Sequence, residues 1–250
     1  MSEPTAHGRA RLLGVLGGMG PLATTDFMKK VIQHTGARRD QHHIPMVVFS
    51  DPGVPDRTEA ICGGGPDPWP LLLQGARKLA SAGVDLVAMP CNTAHHWFDR
   101  LAAAVPMRWL HIADAAGAEI GRLPTEQRRV GLLATSGTIA SGVYFKRLAA
   151  LRIQWHLPSA IEQQSLVDAS MRAIKSGDSA RGSQLLAAIE QRLVDRGATT
   201  VVLACTEFPL ALAEISPPHG AMRIDATDLL ARSCVTAFGS SVQPAEAPTR

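Results

Sequence analysis

A chain of 250 residues can bury one large core or two smaller ones. With 46% apolar and 19% charged residues it reads as an ordinary globular protein, and a net charge of +3, scattered without runs, argues against a nucleic-acid or membrane surface. Aromatics at 4% argue against base-stacking platforms, and four cysteines are too few for a disulfide framework, so a reducing cytoplasm is expected.

Taken in chain order, the N-terminal ten residues read as a flexible tail without the apolar segment of a secretory signal. Apolar runs at Leu12–Gly17, Pro45–Phe49, Val84–Met89, Trp109–Ala113, Val130–Ala134, Ile153–Leu157, Thr200–Ala204 and Met222–Ile224 predict strands. Helical patterns fall between most of them, at Thr24–His34, Leu71–Ala82, Ser141–Leu151, Ser165–Lys175 and Ala180–Arg196. Alternating β and α units with strands apolar on both faces predict parallel sheets covered by helices, an α/β fold. No run approaches the roughly 18 apolar residues of a membrane span. Residues 240–250 read as a second flexible tail.

Two segments echo each other. "ARKLASAGVDLVAMPCNTA" (76–94) lies on "IEQRLVDRGATTVVLACTE" (189–207) without a gap between glycine and cysteine: Gly83 precedes Cys91 by the same distance as Gly197 precedes Cys205. Upstream, "GVLGGMGPLATTDFMKK" (14–30) resembles "GLLATSGTIASGVYFKR" (131–147). Matched echoes in the same order predict two related halves. If these face each other, Cys91 and Cys205 end beyond the carboxyl ends of their strands, where such sheets bind ligands, in one cleft. The expected first lobe covers 11–113 and regains 222–239; the second covers 114–220.

Two thiols on opposite sides of a small ligand can invert a stereocentre: a thiolate removes a proton from carbon and the opposite thiol returns one to the other face. The reference thiol pKa of about 8.5 keeps both forms within reach. Helix starts after each cysteine would favour the thiolate. Asn92, Thr93 and Thr206 offer polar groups there for a substrate carboxylate. Met19, Thr135 and Thr138 stand in the two echoing turns as further wall or carboxylate contacts. Other readings of the cysteines are a small buried hydrophobe, a metal site with His95, and a Cys–His nucleophile. The metal reading lacks further ligands, and no CxxC or HExxH occurs.

"PCNTAH" around Cys91, "ACTEFPL" around Cys205 and the opening "GVLGGMGPLAT" resemble the aspartate/glutamate racemase superfamily, in its aspartate racemase branch, over roughly Leu12 to Ala237. The resemblance implies two pseudo-symmetric parallel-sheet αβ domains with the active site in the cleft between them. It also implies cofactor-independent amino-acid racemisation, no metal, and a homodimer. Cys205-Thr206-Glu207 departs from the Cys-Thr-His of cell-wall glutamate racemases and matches the aspartate branch. "VPDRTEAI" (54–61) resembles the stretch whose arginine contacts the distal carboxylate, here Arg57; "AIKSGD" (173–178) resembles the segment bearing a substrate-contacting lysine, here Lys175. The implied substrate is aspartate, with glutamate or a broader range next. Against it stand an isomerase or lyase of the same superfamily and a non-catalytic amino-acid-binding protein. His95 and His96 are left out of catalysis.

Overall fold

A computed structural model of the protein describes residues 11–239; the two expected tails, 1–10 and 240–250, lie outside the described residues. Eight strands alternate with helices: β1 Leu13–Gly17, β2 Met46–Ser50, β3 Leu86–Ala88, β4 Arg108–Leu110, β5 Arg129–Ala134, β6 Gln154–His156, β7 Thr200–Ala204 and β8 Met222–Asp225. The helices are α1 Pro21–Thr35, α2 Trp69–Ser81, α3 Phe98–Ala104, α4 Ile112–Arg122, α5 Ser136–Ser141, α6 Val143–Arg147, α7 Ala160–Glu162, α8 Ala169–Lys175, α9 Ser179–Asp195, α10 Phe208–Ala211 and α11 Ala226–Phe238.

The strands form two four-stranded sheets, in the orders β2-β1-β3-β4 and β6-β5-β7-β8, with every pairing parallel. The same order is therefore built twice. β1 and β7 are buried at all five positions, as strands covered on both faces must be. Successive side chains go to opposite faces: Leu13 and Val15 join Phe27, Val31 and Leu230, whereas Leu16 joins Leu72, Leu79 and Val87. In the second sheet Val130 and Leu132 pack with Tyr144 and Leu148, while Leu133, Val201 and Leu203 meet Leu186, Ile189 and Leu193. Each such buried aliphatic side chain contributes roughly 1.5–3 kcal/mol.

The echo has a backbone counterpart. After α2, Gly83 turns left-handed at φ 71°, its N–H bonding Ala80 O and that of Val84 bonding Leu79 O. After α9, Gly197 does the same at φ 102°, with bonds to Val194 O and, from Ala198, to Leu193 O. Both helices thus end in a Schellman motif, which aims the next strand back into its sheet.

Three expectations are corrected. The helix expected over Ser141–Leu151 is broken, because Gly142 takes a φ of 68°; α5 closes before it, α6 comes after it, and a 3₁₀ turn covers Ala149–Leu151. The strand expected to Ala113 stops at Leu110, since the His111 ring accepts the Ala113 N–H and starts α4. The strand at Met222 was expected to return to the first lobe with the helix after it. It pairs instead with β7, directly preceding it in the chain, and only α11 returns to pack among Phe27, Val31 and Leu13. The chain also crosses lobes at the start of α4: Ile112 packs in the first lobe and Ala113, Ala116 and Ile120 in the second.

Candidate active site

A sheet ordered 2-1-3-4 reverses direction between its first and third strands, and the crevice beyond their carboxyl ends is where ligands bind. Here both sheets direct that crevice toward each other. The segments after β1 and β3 supply Met19, Cys91, Asn92 and Thr93; those after β5 and β7 supply Thr135, Cys205, Thr206 and Glu207. With Asp56, Arg57 and Thr58 from the loop after β2, and Met171 and Lys175 from α8, they line one cavity. Polar and sulfur-bearing side chains from both lobes converge on it, the kind of lining that fixes the orientation of a small polar ligand.

Nine of the ten residues singled out from the sequence line this cavity. Thr138 stands behind its wall: its hydroxyl bonds those of Thr93 (2.8 Å) and Thr135 (3.0 Å), and Thr93 and Thr135 bond each other at 2.9 Å. These three hydroxyls tie the first lobe to the second. Asp56, Thr58, Met171 and Glu207 are lining residues outside the sequence-based set. Met171 had a signal, since it lies one helical turn before Lys175 and shares its face.

All four cysteines are free; Cys91 and Cys205 are buried. Burial pushes the Cys91 thiol up from its ordinary value, while the Arg57 guanidinium and the Ala94 N–H pull it down and Glu207 adds to the rise. Cys205 is pushed well above the ordinary value, first by burial and then by Glu207. Its S–H donates to Glu207 Oε2 at 3.1 Å, and the Thr206 hydroxyl donates to the same oxygen at 3.0 Å. The expected help from helix starts is outweighed. Cys91 leads into a five-residue 3₁₀ turn and Cys205 into a four-residue helix, and desolvation is the larger effect at both thiols.

Arg57 is held rigidly. Nη1 donates to the carbonyls of Val54 and Pro55, both at 3.1 Å, and Nη2 to that of Met19 at 3.2 Å; Nε is buried without a partner. Lys175 pairs with Asp56 at 3.1 Å. Burial raises the Asp56 carboxyl, but the Glu59 N–H and the Lys175 charge bring it below its ordinary value.

His95 lies beneath the cavity. Burial, then the neighbouring His111, lowers it well below the ordinary imidazole value. Nε2 accepts the Ile112 N–H at 3.1 Å, so the proton sits on Nδ1 and is donated to Cys91 O at 2.8 Å. Both nitrogens are thus committed to anchoring the Cys91 turn to the start of α4. Among the described residues, no group of three or more His, Cys, Asp or Glu could hold a metal ion, and no helix is long and apolar enough to cross a membrane.

Comparison with known proteins agrees with this architecture. A broad-specificity amino-acid racemase of Bacillus subtilis is 29% identical over 231 residues, covering 91% of this chain and 98% of its own. The structure of Picrophilus torridus aspartate racemase superposes with a TM-score of 0.78 at 29% identity, covering 92% of this chain and 94% of that one. At 16% identity, glutamate racemase from Francisella tularensis shares the fold with a TM-score of 0.67, over 95% of this chain and 85% of that one. The family model for Asp/Glu/hydantoin racemases matches residues 16–234. With two parallel-sheet lobes, a cavity at their facing switch points and this match, the chain belongs to the Asp/Glu/hydantoin racemase family and is an isomerase, an amino-acid racemase.

Proposed function

We propose that the protein interconverts L- and D-aspartate without a cofactor, with Cys91 and Cys205 as a two-base pair. The observation that carries this reading is the pair of buried thiols at equivalent positions of two equivalent sheets, lining one small cavity. The Cys91 thiolate takes the α-proton, and the electron pair left on carbon spreads into the α-carboxylate. Cys205 delivers its S–H proton to the opposite face, which leaves Cys91 protonated and Cys205 as the thiolate, ready for the reverse direction. Arg57 and Lys175 hold the side-chain carboxylate, and the buried Arg57 Nε offers it a donor. Met19 and Thr135 shape the remaining wall, with Thr138 behind it holding Thr93 and Thr135; Asn92, Thr93 and Thr206 serve the α-carboxylate. A homodimer is the assembly that the family resemblance implies, and the four cysteines without a disulfide framework fit a reducing cytoplasm.

The test is the metal-free, cofactor-free protein with L-aspartate in D₂O. The wild type yields D-aspartate carrying deuterium at the α-carbon. Cys91→Ala and Cys205→Ala each lose racemisation while retaining at most one-sided exchange. Near wild-type turnover by Cys205→Ala would sink the two-base mechanism. Arg57→Leu raises the KM for aspartate about 10- to 150-fold, the loss of one charged hydrogen-bonding partner, and raises that for a neutral amino acid far less; the less favourable ionisation of Cys91 without Arg57 lowers kcat for both. Intact aspartate turnover in that variant would remove aspartate as the substrate and leave the racemase chemistry standing. A change in composition, rather than in optical rotation alone, would point to a lyase.

A further inference from the structure

Tyr144 is the only tyrosine of the chain and one of its largest fully buried side chains. It belongs to α6 in the second lobe, with its ring among Val130, Leu132, Val143 and Leu148. Its hydroxyl leaves that apolar setting to donate across the lobes to Asn92 Oδ1, at 2.6 Å. Burial, and the charges of Asp225 and Cys205, keep the phenol protonated, so it remains a donor and requires an acceptor.

The bond constrains Asn92. That residue is 2% exposed, lines the cavity and comes directly after Cys91. With its carbonyl oxygen taken by Tyr144, its amide nitrogen remains, and Nδ2 is buried without a hydrogen-bond partner. An unpaired buried N–H is costly. At the wall of a substrate cavity it is completed by an acceptor on the ligand.

Resting on the racemase reading above, we infer that Tyr144 is a positioning residue: it fixes the Asn92 amide with its nitrogen toward the cavity, as a donor to the substrate α-carboxylate. That carboxylate gains charge as the α-proton leaves, so a fixed donor there is worth more in the transition state than in the ground state. Without the tyrosine hydroxyl the amide is free to turn over and present its oxygen to the carboxylate, an acceptor against an acceptor. The ring of Tyr144 packs; its oxygen sets the polarity of a group in the neighbouring lobe.

Tyr144→Phe keeps the ring and removes the oxygen. Binding of L-aspartate is measured by calorimetry in the Cys91→Ala/Cys205→Ala protein, which cannot turn it over. Tyr144→Phe weakens binding about tenfold there, the scale of one hydrogen bond, but less than twofold when Asn92 is also Ala. An equal loss in both backgrounds, or no loss in either, overturns the inference, because a role in packing alone would act without Asn92. A second measurement needs no ligand. NMR of the free protein gives one sharp pair of Asn92 side-chain amide resonances in the wild type, which shift or broaden in Tyr144→Phe as the whole amide turns about Cβ–Cγ between two environments; an unchanged pair overturns the inference. If L-aspartate binds neither protein, the substrate assignment falls and the amide spectrum still decides the role of Tyr144. It also decides if the Asn92→Ala protein fails to fold.

Discussion

Cys91 and Cys205 are both buried, but Arg57 stands beside the first and Glu207 accepts the S–H of the second. Arg57 lowers the cost of a thiolate on Cys91, and Glu207 raises it on Cys205, so Cys91 ionises first as pH rises. The proposed reaction needs one thiolate and one thiol. Activity should therefore climb with pH as Cys91 ionises, and fall again at higher pH once Cys205 loses its proton. Replacing Glu207 with Gln removes a negative charge that raises both thiols, so both should ionise at lower pH and the whole profile should move that way. They should still lie above an ordinary thiol, because burial is the larger cause. The ultraviolet absorbance of the thiolates, monitored during a pH titration of wild type and Glu207→Gln, measures this; a shift to higher pH would contradict it.

At the scale of elements, the two helix ends before the cysteine-bearing strands do the same work. The left-handed turn at Gly83 or Gly197 lets the strand re-enter its sheet with the cysteine at its far end. An L side chain in that conformation costs about 1–2 kcal/mol. A methyl group at Gly197 would meet only the Arg129 and His156 side chains, both at 3.7 Å, an ordinary contact. Gly197→Ala should thus lose about 1–2 kcal/mol by backbone strain alone, as a lower urea midpoint with an unchanged slope. An equally stable variant would show that the turn tolerates a side chain, and the glycine echo would lose its structural explanation.

Across the whole molecule, the lobes are interleaved by sequence. α4 starts in the first lobe and covers the second, and α11 leaves β8 of the second sheet to pack against α1 of the first. Lys30 on α1 bonds Asp225 at 2.7 Å, where the Asp225 side chain caps α11. Burial lowers the Lys30 ammonium, but the charges and hydrogen bonds of Asp225 and Asp26 raise it above its ordinary value. With both crossings buried, the protein should melt as one unit. Leu230 is fully buried on α11, so Leu230→Ala should remove about 2–5 kcal/mol and lower Tm by about 4–20 °C. Calorimetry of this variant should still give a single transition; two separated transitions would mean that the lobes fold independently.

Whatever depends on local chemistry and spacing was legible in the chain itself. Strand runs apolar on both faces required parallel sheets; the equal glycine-to-cysteine spacing put Cys91 and Cys205 at equivalent strand ends; the motifs around them named the family. Nine of the ten residues singled out meet in the cavity: seven stand at strand ends and in the turns after them, which are fixed by their own neighbours in sequence, and the family resemblance supplied Arg57 and Lys175. Other features arise only when distant segments meet. Whether the unit starting at Met222 joined one lobe or divided between two depended on which edge was open beside β7, and a strand pattern does not encode its partner. Thr138 reads like a wall residue but is held back by Thr93, 45 positions earlier. Tyr144 looks like any buried aromatic of a short helix until its hydroxyl is found 2.6 Å from Asn92, 52 residues away. A hydrogen bond between lobes leaves no periodicity in either segment, so it comes into view only once the two lobes are folded against each other.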